Sequence, residues 1–256
     1  MESSPPALLT EHADGVATVT LSNPAKRNAM TPGMWAGLPP LLRKLADDPA
    51  VRALVLTGAR GTFCAGADIS SLRGEADSAQ RLAVAAEEAL AAFPKPTLAA
   101  VRGHCVGGGC QLALACDLRF ASREARFGIT PAKLGIVYPA ASTRRLVRVA
   151  GPSTAKYLLF SAELTDAERA LRTGLVDELH EDGELDARVR EFTRVLAGRS
   201  QLTQAAAKEF ADGRADEERA AAWQRAAAEG PDAAEGVAAF LERRTPHFTW
   251  TPEALG

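Results

Sequence analysis

The chain has 256 residues, of which 46% are apolar and 24% charged, and its formal net charge is −2. This length and apolar fraction are sufficient for one large domain with a hydrophobic core. Because the net charge is small and both signs are mixed along the chain, neither a nucleic acid nor a membrane surface is expected as a partner. The composition favours a globular enzyme without a polyanionic ligand.

The cysteines and histidines give no sign of a disulfide framework or a metal site. Cys64, Cys105, Cys110 and Cys116 form no CxxC pair, and residues 1–7 do not resemble a signal peptide. We therefore expect reduced, buried thiols and a cytoplasmic location. No metal-ligand spacing joins the four histidines, so no metal is predicted.

The first half of the chain alternates between strand and helix patterns. Alternating runs at 8–11 and 16–21 flank Asp14-Gly15, which is typical of a β-hairpin. The elements predicted after the hairpin are a helix over 32–47, a strand over 51–57, a helix over 78–92, and strands over 97–101 and 117–121. This alternation predicts an α/β fold, with a sheet covered by helices.

The second half of the chain is predominantly helical in pattern. Helices are predicted over 153–160, 165–173, 185–197, 202–211, 216–228 and 232–243. We therefore divide the chain into an α/β core over residues 1–190 and a helical C-terminal region over residues 191–256.

A run of three glycines, residues 107–109, is the strongest candidate binding feature. It lies between the strand at 97–101 and a helix-like segment at 111–115. Glycine lets the backbone approach a ligand closely, and a helix start adds unpaired N–H groups and a partial positive charge. The run therefore indicates an oxyanion site, although a tight turn without a ligand would show the same pattern.

A second glycine-containing turn, residues 61–69, follows the apolar strand segment at 53–57. It ends near Asp68, which is placed to cap a helix. In an open α/β sheet, ligands bind outside the carboxyl ends of the strands. Both turns could therefore direct amide groups at one carbonyl oxygen.

These segments resemble the crotonase (enoyl-CoA hydratase/isomerase) superfamily of acyl-CoA enzymes, along nearly the whole chain. The matching segments are 23–30, 64–68, 103–117, 127–135 and 239–244. The resemblance implies a crotonase-like spiral core of ββα units, with C-terminal helices that assemble a homotrimer or a dimer of trimers. It also implies an acyl-CoA thioester as ligand, with no cofactor beyond the coenzyme A moiety.

The same resemblance implies roles for particular residues. The backbone amides of Ala67 and Gly108 would polarise the thioester carbonyl and stabilise the enolate formed from it. The implied coenzyme A contacts are Lys26 and Arg27 near the phosphates, Ala65, Asp68 and Ile69 beside the adenine and pantetheine, and Phe240 with Arg243 at the nucleotide from a neighbouring subunit.

The chain departs from the hydratase pattern at both proton-transfer positions. A typical hydratase of this superfamily has two glutamates that hold a water, whereas this chain has Gln111 and Pro131. Glutamine can orient a water but cannot take its proton, and proline has no side-chain proton chemistry. Because a positioned acid or base contributes about 10²–10⁴-fold, ordinary hydration is not the expected main activity.

Tyr138 favours decarboxylation instead. The segments 130–138 and 239–248 resemble methylmalonyl-CoA decarboxylases, which have a tyrosine three residues after a Leu-Gly pair, although those enzymes differ at Ala67 and Gln111. Loss of CO₂ from a malonyl-type thioester chiefly requires enolate stabilisation, to which one oxyanion-hole donor contributes about 2.7–4 kcal/mol. Tyr138 is expected to donate to the carboxylate, or simply to pack at a loop edge.

Two further functions stay open. One is enoyl-CoA hydration or isomerisation with relocated proton chemistry, for which Asp68, Glu75 and Asp77 are nearby carboxylates. The other is a non-catalytic scaffold that binds acyl-CoA without turnover.

Overall fold

The computed structural model describes residues 5–71 and 76–251. The strands are β1 (Ala7–Ala13), β2 (Val16–Ser22), β3 (Ala53–Gly58), β4 (Thr97–Val101), β5 (His104–Val106), β6 (Leu118–Ser122), β7 (Arg126–Gly128), β8 (Thr165–Asp166) and β9 (Glu178–His180). The α-helices are α1 (Pro32–Asp47), α2 (Ala76–Ala91), α3 (Gly108–Ala115), α4 (Ala140–Ser161), α5 (Ala167–Arg172), α6 (Asp182–Ala197), α7 (Gln201–Ala211), α8 (Glu217–Glu229) and α9 (Asp232–Glu242). Short 3₁₀ turns occupy Pro24–Lys26, Ile69–Ser71 and Pro131–Leu134.

The main sheet has the strand order β1-β2-β3-β4-β6-β9. The predicted hairpin is confirmed, because β1 and β2 pair antiparallel, and the remaining strands of this sheet pair parallel. Every residue of β4 is buried, as expected for a parallel strand that is covered on both faces. The α/β class predicted from the alternation of elements is confirmed.

A second, smaller sheet has the order β5-β7-β8 and brings the two glycine turns together. Cys64 of the first turn forms a parallel bridge with Cys105 of β5, with the Cys64 N–H donating to His104 O at 2.8 Å. The Gly107 N–H donates to Gly128 O at 2.8 Å. Strands of two or three residues show no periodic pattern, so the sequence did not predict this sheet.

Helix α1 covers the glycine turns with an apolar stripe. Thr31 caps it by accepting from the Met34 N–H at 3.3 Å. Its buried side chains recur at helical spacing: Met34, Trp35, Leu38, Leu42 and Leu45. A methyl group on Gly108 would lie 2.8 Å from the Trp35 ring, so the packing of α1 requires glycine there.

Helix α4 starts earlier than the sequence indicates. The pair Gly151-Pro152 is typical of a helix boundary, so the sequence predicts a helix only from residue 153. In the structure the helix already runs from Ala140 and bends at Gly151, whose φ of 75° is left-handed. The earlier start places the first turns of α4 against the candidate site, where Ser142 and Arg145 contact Glu87.

The helices from α6 onward agree with their predicted ranges to within a few residues. The boundary predicted at residue 190 lies inside α6, which packs on the main sheet. Beyond α6 a small separate core forms from Leu202, Ala205, Trp223 and Trp250. Within 5–71 and 76–251, no helix is long and apolar enough to cross a membrane.

Candidate active site

A cavity of about 420 Å³ opens where the first glycine turn meets the start of α3. Five segments line it. The lining residues are Trp35 of α1, Ala65, Gly66, Ala67 and Ile69 of the first turn, Ala79, Gln80 and Ala83 of α2, Gly107, Gly108 and Gln111 at α3, and Thr130, Pro131, Leu134, Ile136, Val137, Tyr138 and Pro139.

The Ala67 amide faces this cavity because its neighbours are bonded on the opposite side. Met30 donates its N–H to Gly66 O at 2.8 Å and accepts the Asp68 N–H at 2.9 Å. In an extended segment, successive peptide groups point in alternate directions, so the Ala67 N–H is directed away from Met30. It donates to no protein group in the described part of the chain.

The Gly108 amide is the second donor at the same place. Gly108 is the first residue of α3, so its N–H has no partner within the helix. A methyl group on Gly108 would lie 3.5 Å from the Ala67 nitrogen, so the two amides are neighbours. Gly107, at φ 54° and ψ −116°, adopts a conformation that suits only glycine and turns the chain into the helix. Together the two amides can stabilise one oxyanion.

Gln111 lies one helical turn after Gly108, on the same face of α3. Its Nε2 donates to Glu87 Oε2 at 2.6 Å. Glu87, on α2, is completely buried, accepts a second hydrogen bond from Ser142 Oγ and forms an ion pair with Arg145. The side chain of Gln111 is therefore hydrogen-bonded to a buried carboxylate, that of Glu87.

The sequence interpretation missed Glu87, although a signal was present. Glu87 lies four residues after Ala83 and three before Leu90, and both line the inner face of α2. Helical periodicity alone thus assigns this glutamate to an apolar face. A carboxylate there needs buried partners, and their identity depended on the packing of α3 and α4.

Arg145 supplies the positive charge for this buried group. Its second guanidinium nitrogen reaches Glu88 at 3.0 Å. Burial lowers the pKa of Arg145 from its ordinary value, nearby Arg148 lowers it further, and Asp212 opposes both. The guanidinium still stays charged at neutral pH, because an arginine pKa starts far above that range.

Tyr138 lines the cavity, but its hydroxyl does not face the open space. The oxygen is buried and has no hydrogen-bond partner among the described residues. Burial raises the pKa of Tyr138 well above its usual range, and the thiols of Cys110 and Cys105 add to the effect. The phenol is therefore protonated at neutral pH, and it would have to rotate to donate to a ligand.

The described cavity lining contains no aspartate, glutamate, lysine, arginine or histidine side chain. Pro131 lies on a 3₁₀ turn at its edge. Of the substitute carboxylates, Asp68 is ion-paired, while Glu75 and the side chain of Asp77 lie outside the described residues. The surface offered to an acyl group is thus uncharged and mostly apolar, with amide donors at one end.

Lys26 lies close to the first glycine turn, but its charge is not isolated. Its Nζ contacts Asp68 Oδ2 at 2.7 Å and Ser70 Oγ at 2.8 Å. Asp68 also accepts a hydrogen bond from Ser70 Oγ at 2.7 Å, and the bonds from Lys26 and Ser70 lower the pKa of Asp68. The backbone carbonyl of Arg27 accepts a hydrogen bond from the Ala65 N–H at 3.0 Å, and Arg27 is exposed to solvent.

Phe240 and Arg243 are not part of the cavity in this chain. Phe240 lies in the last turn of α9 with 83% of its surface exposed, and Arg243 is the residue that ends the helix. The structure therefore brings together Ala65, Ala67, Ile69, Gly108, Gln111 and Tyr138, but not these two.

The four cysteines are free and buried, which confirms the prediction of reduced, buried thiols.

Comparison with known proteins agrees with this fold. The family model described as enoyl-CoA hydratase/isomerase matches residues 11–251. The crotonyl-CoA hydratase of Syntrophomonas wolfei is 33% identical, over 94% of this chain and 97% of its own length. The 2,3-dehydroadipyl-CoA hydratase of Escherichia coli is 34% identical, over 94% of this chain and 98% of its own length.

The fold of this chain is also similar to that of a solved structure. The crystal structure of an enoyl-CoA hydratase/isomerase family member superposes with a TM-score of 0.91 at 37% identity, covering 98% of this chain and 100% of that one. The fold and the site thus define an acyl-CoA enzyme with a crotonase fold. The chain belongs to the enoyl-CoA hydratase/isomerase (crotonase) superfamily.

Proposed function

We propose that the cavity binds an acyl-CoA thioester with its carbonyl oxygen between the Ala67 and Gly108 amides, and that the reaction passes through the enolate. The observation that carries this proposal is the pair of adjacent N–H groups that have no partner among the described residues, at one end of a mostly apolar cavity. Fixed donors in such surroundings stabilise developing negative charge more strongly than water does.

For the reaction itself, we place decarboxylation of a malonyl-type ester first. When the bond to the carboxylate breaks, its electron pair enters the thioester and CO₂ leaves, so the step needs no base. The described lining has no base to offer, with Gln111 and Pro131 at the two relevant positions. A proton from water, or from Tyr138 after rotation, then completes the reaction.

Hydration of an enoyl-CoA is the second candidate. The names of the relatives favour it, since two with 33–34% identity are called hydratases. Gln111 could orient the water, but the base that takes the proton would have to be another group. An isomerase would face the same requirement.

We further propose that Lys26 and Arg27 lie near the coenzyme A phosphates, and that Phe240 and Arg243 reach the nucleotide from a neighbouring subunit of a homotrimer or a dimer of trimers. The apolar residues left exposed on α9 support this assembly: Val237 (62%), Phe240 (83%) and Leu241 (74%). Surfaces of this kind are commonly covered by a protein partner.

The test is to incubate the protein separately with malonyl-, methylmalonyl-, ethylmalonyl- and crotonyl-CoA, and to follow each ester by mass spectrometry. Loss of CO₂ from a malonyl-type ester supports the first candidate. Rapid gain of water by crotonyl-CoA would overturn it in favour of the second. Tight binding of the esters without turnover would show the scaffold function instead.

A further inference from the structure

The contact between Glu87 and Gln111 determines which end of the glutamine amide faces the cavity. A carboxylate at neutral pH only accepts hydrogen bonds, so the group that meets Glu87 Oε2 at 2.6 Å must be the amide Nε2. Gln111 Oε1 accepts from no other group in the described ranges, and Gln111 lines the cavity. The amide thus offers its oxygen to a ligand.

Glu87 is itself held from the opposite side by α4. Ser142 Oγ donates to the same oxygen as Gln111, and Arg145 pairs with the other oxygen. If the Gln111 amide flipped, its Oε1 would meet Oε2 of Glu87, which places two acceptors in contact inside the protein. Such a buried arrangement is unfavourable, so the carboxylate fixes the amide in one orientation.

The position of Gln111 indicates which part of an acyl group it would meet. Gln111 follows Gly108 by three residues on α3, and Cβ positions at this spacing lie about 5–6 Å apart on one face of a helix. With the thioester oxygen at the Gly108 amide, the second and third carbons of the acyl chain come nearest to Gln111. A substituent on those carbons is within reach of Oε1.

We propose that Glu87 is a positioning residue that holds Gln111 with its acceptor oxygen toward the acyl chain, so that the cavity binds acyl-CoA esters with a hydroxyl donor near the third carbon in preference to the unsubstituted esters. This inference rests on the proposed binding of CoA thioesters in the cavity. Glu87 acts through Gln111 and does not touch the ligand.

The experiment compares 3-hydroxybutyryl-CoA, each enantiomer separately, with butyryl-CoA by isothermal titration calorimetry. The two esters differ by one hydroxyl, and mass spectrometry after each titration shows whether either has been converted. We expect the better hydroxy enantiomer to bind roughly 2- to 12-fold more tightly, as one neutral hydrogen bond allows. A ratio of two affinities is not affected by a general loss of folded protein.

Two variants test Glu87, and one serves as a matched control. Glu87→Gln lets position 87 donate as well as accept, and Glu87→Asp keeps the charge but shortens the reach, so both are expected to bring the ratio close to one. Glu88→Gln removes a neighbouring carboxylate that also contacts Arg145 but not Gln111, and should keep the ratio. Melting curves show which variants fold.

The outcomes separate this inference from the proposed function. A hydroxyl preference that the Glu87 variants lose and Glu88→Gln keeps supports the inference. Equal binding of both esters by the natural protein, or a preference that survives in the Glu87 variants, overturns it while CoA-ester binding stands. Binding of neither ester overturns both. If neither Glu87 variant folds, Gln111→Met decides, because a preference that survives without the amide overturns the inference and its loss supports it.

Discussion

The two ends of the cavity are built in different ways. The amide end consists of backbone groups, fixed by the Met30 bridge and by the start of α3, and its donors carry no ionisable group. The side-chain end begins one helical turn further along α3, where Gln111 is oriented by Glu87, and Glu87 by Ser142 and Arg145. The backbone end is thus sensitive to steric change, whereas the side-chain end is sensitive to charge and to proton binding.

The largest expected effect is steric, at the amide end. In Gly108→Ala the added methyl group would lie 2.8 Å from the Trp35 ring, so either the ring or the amide must move. We expect turnover of the accepted CoA ester to fall about 10²–10³-fold, as for loss of one oxyanion donor. Steady-state kinetics of the variant and the natural protein measures this fall in turnover.

The matched control for this variant is Gly33→Ala in the first turn of α1, where the nearest atom to the new methyl group is 3.9 Å away. It should keep its turnover. Equal losses in the two variants would mean that the Gly108 amide has no special part in the reaction.

The second effect is electrostatic, at the side-chain end. Gln111→Glu would place a carboxylate against buried Glu87, and the pair would then have to bind a proton in the folded state. Because the folded protein keeps a proton that the unfolded chain has already released above about pH 5, stability should fall as the pH rises. We expect a loss of about 2–4 kcal/mol at pH 8 relative to the natural protein, and less at pH 5.

Urea unfolding at both pH values measures this difference. Gln80→Glu is the control, since Gln80 also lines the cavity but its Nε2 bonds to the Val137 carbonyl rather than to a carboxylate. If both variants show the same pH dependence, contact with Glu87 is not the cause.

A smaller effect is expected at Tyr138, where the hydroxyl is buried without a described partner. Tyr138→Phe removes that unsatisfied group, so we expect unfolding stability to be unchanged or higher by up to about 1 kcal/mol. Thermal unfolding measures this. Stability that drops by more than this amount would reveal a hydrogen bond of the hydroxyl.

The same variant tests the catalytic role of Tyr138. If the phenol rotates and donates to the carboxylate of a malonyl-type ester, decarboxylation should slow markedly. Full turnover of every accepted ester by Tyr138→Phe would rule that role out.

The smallest effect is expected at Lys26, whose charge is shared with Asp68. Because Asp68 already neutralises part of this charge and the Lys26 side chain is partly exposed to solvent, Lys26→Met should weaken CoA-ester binding by no more than about 5-fold. The loss should shrink at high salt. Lys44→Met, on the exposed surface of α1, is the control and should bind normally. Equal affinities of the two variants at low salt would remove Lys26 from the phosphate site.

The amino-acid sequence by itself determined the α/β class, the hairpin, α1 and both glycine turns. These features follow from local rules, since strand alternation, helix periodicity and the conformations open only to glycine are properties of short segments. The resemblance of segments such as 64–68 and 103–117 to the crotonase superfamily likewise depended on the residues alone. The pair of amides could therefore be located before any contact was known.

Only the tertiary structure decided what surrounds those amides. The three-residue strands β5 and β7 have no pattern of their own, and they align the turns only when paired. The partner of Gln111 is 24 residues away along the chain, on another helix. Whether the Tyr138 hydroxyl faces ligand or protein depends on the packing around it. Long-range contacts are set by how whole faces of helices and sheets fit together, and no local rule contains that information.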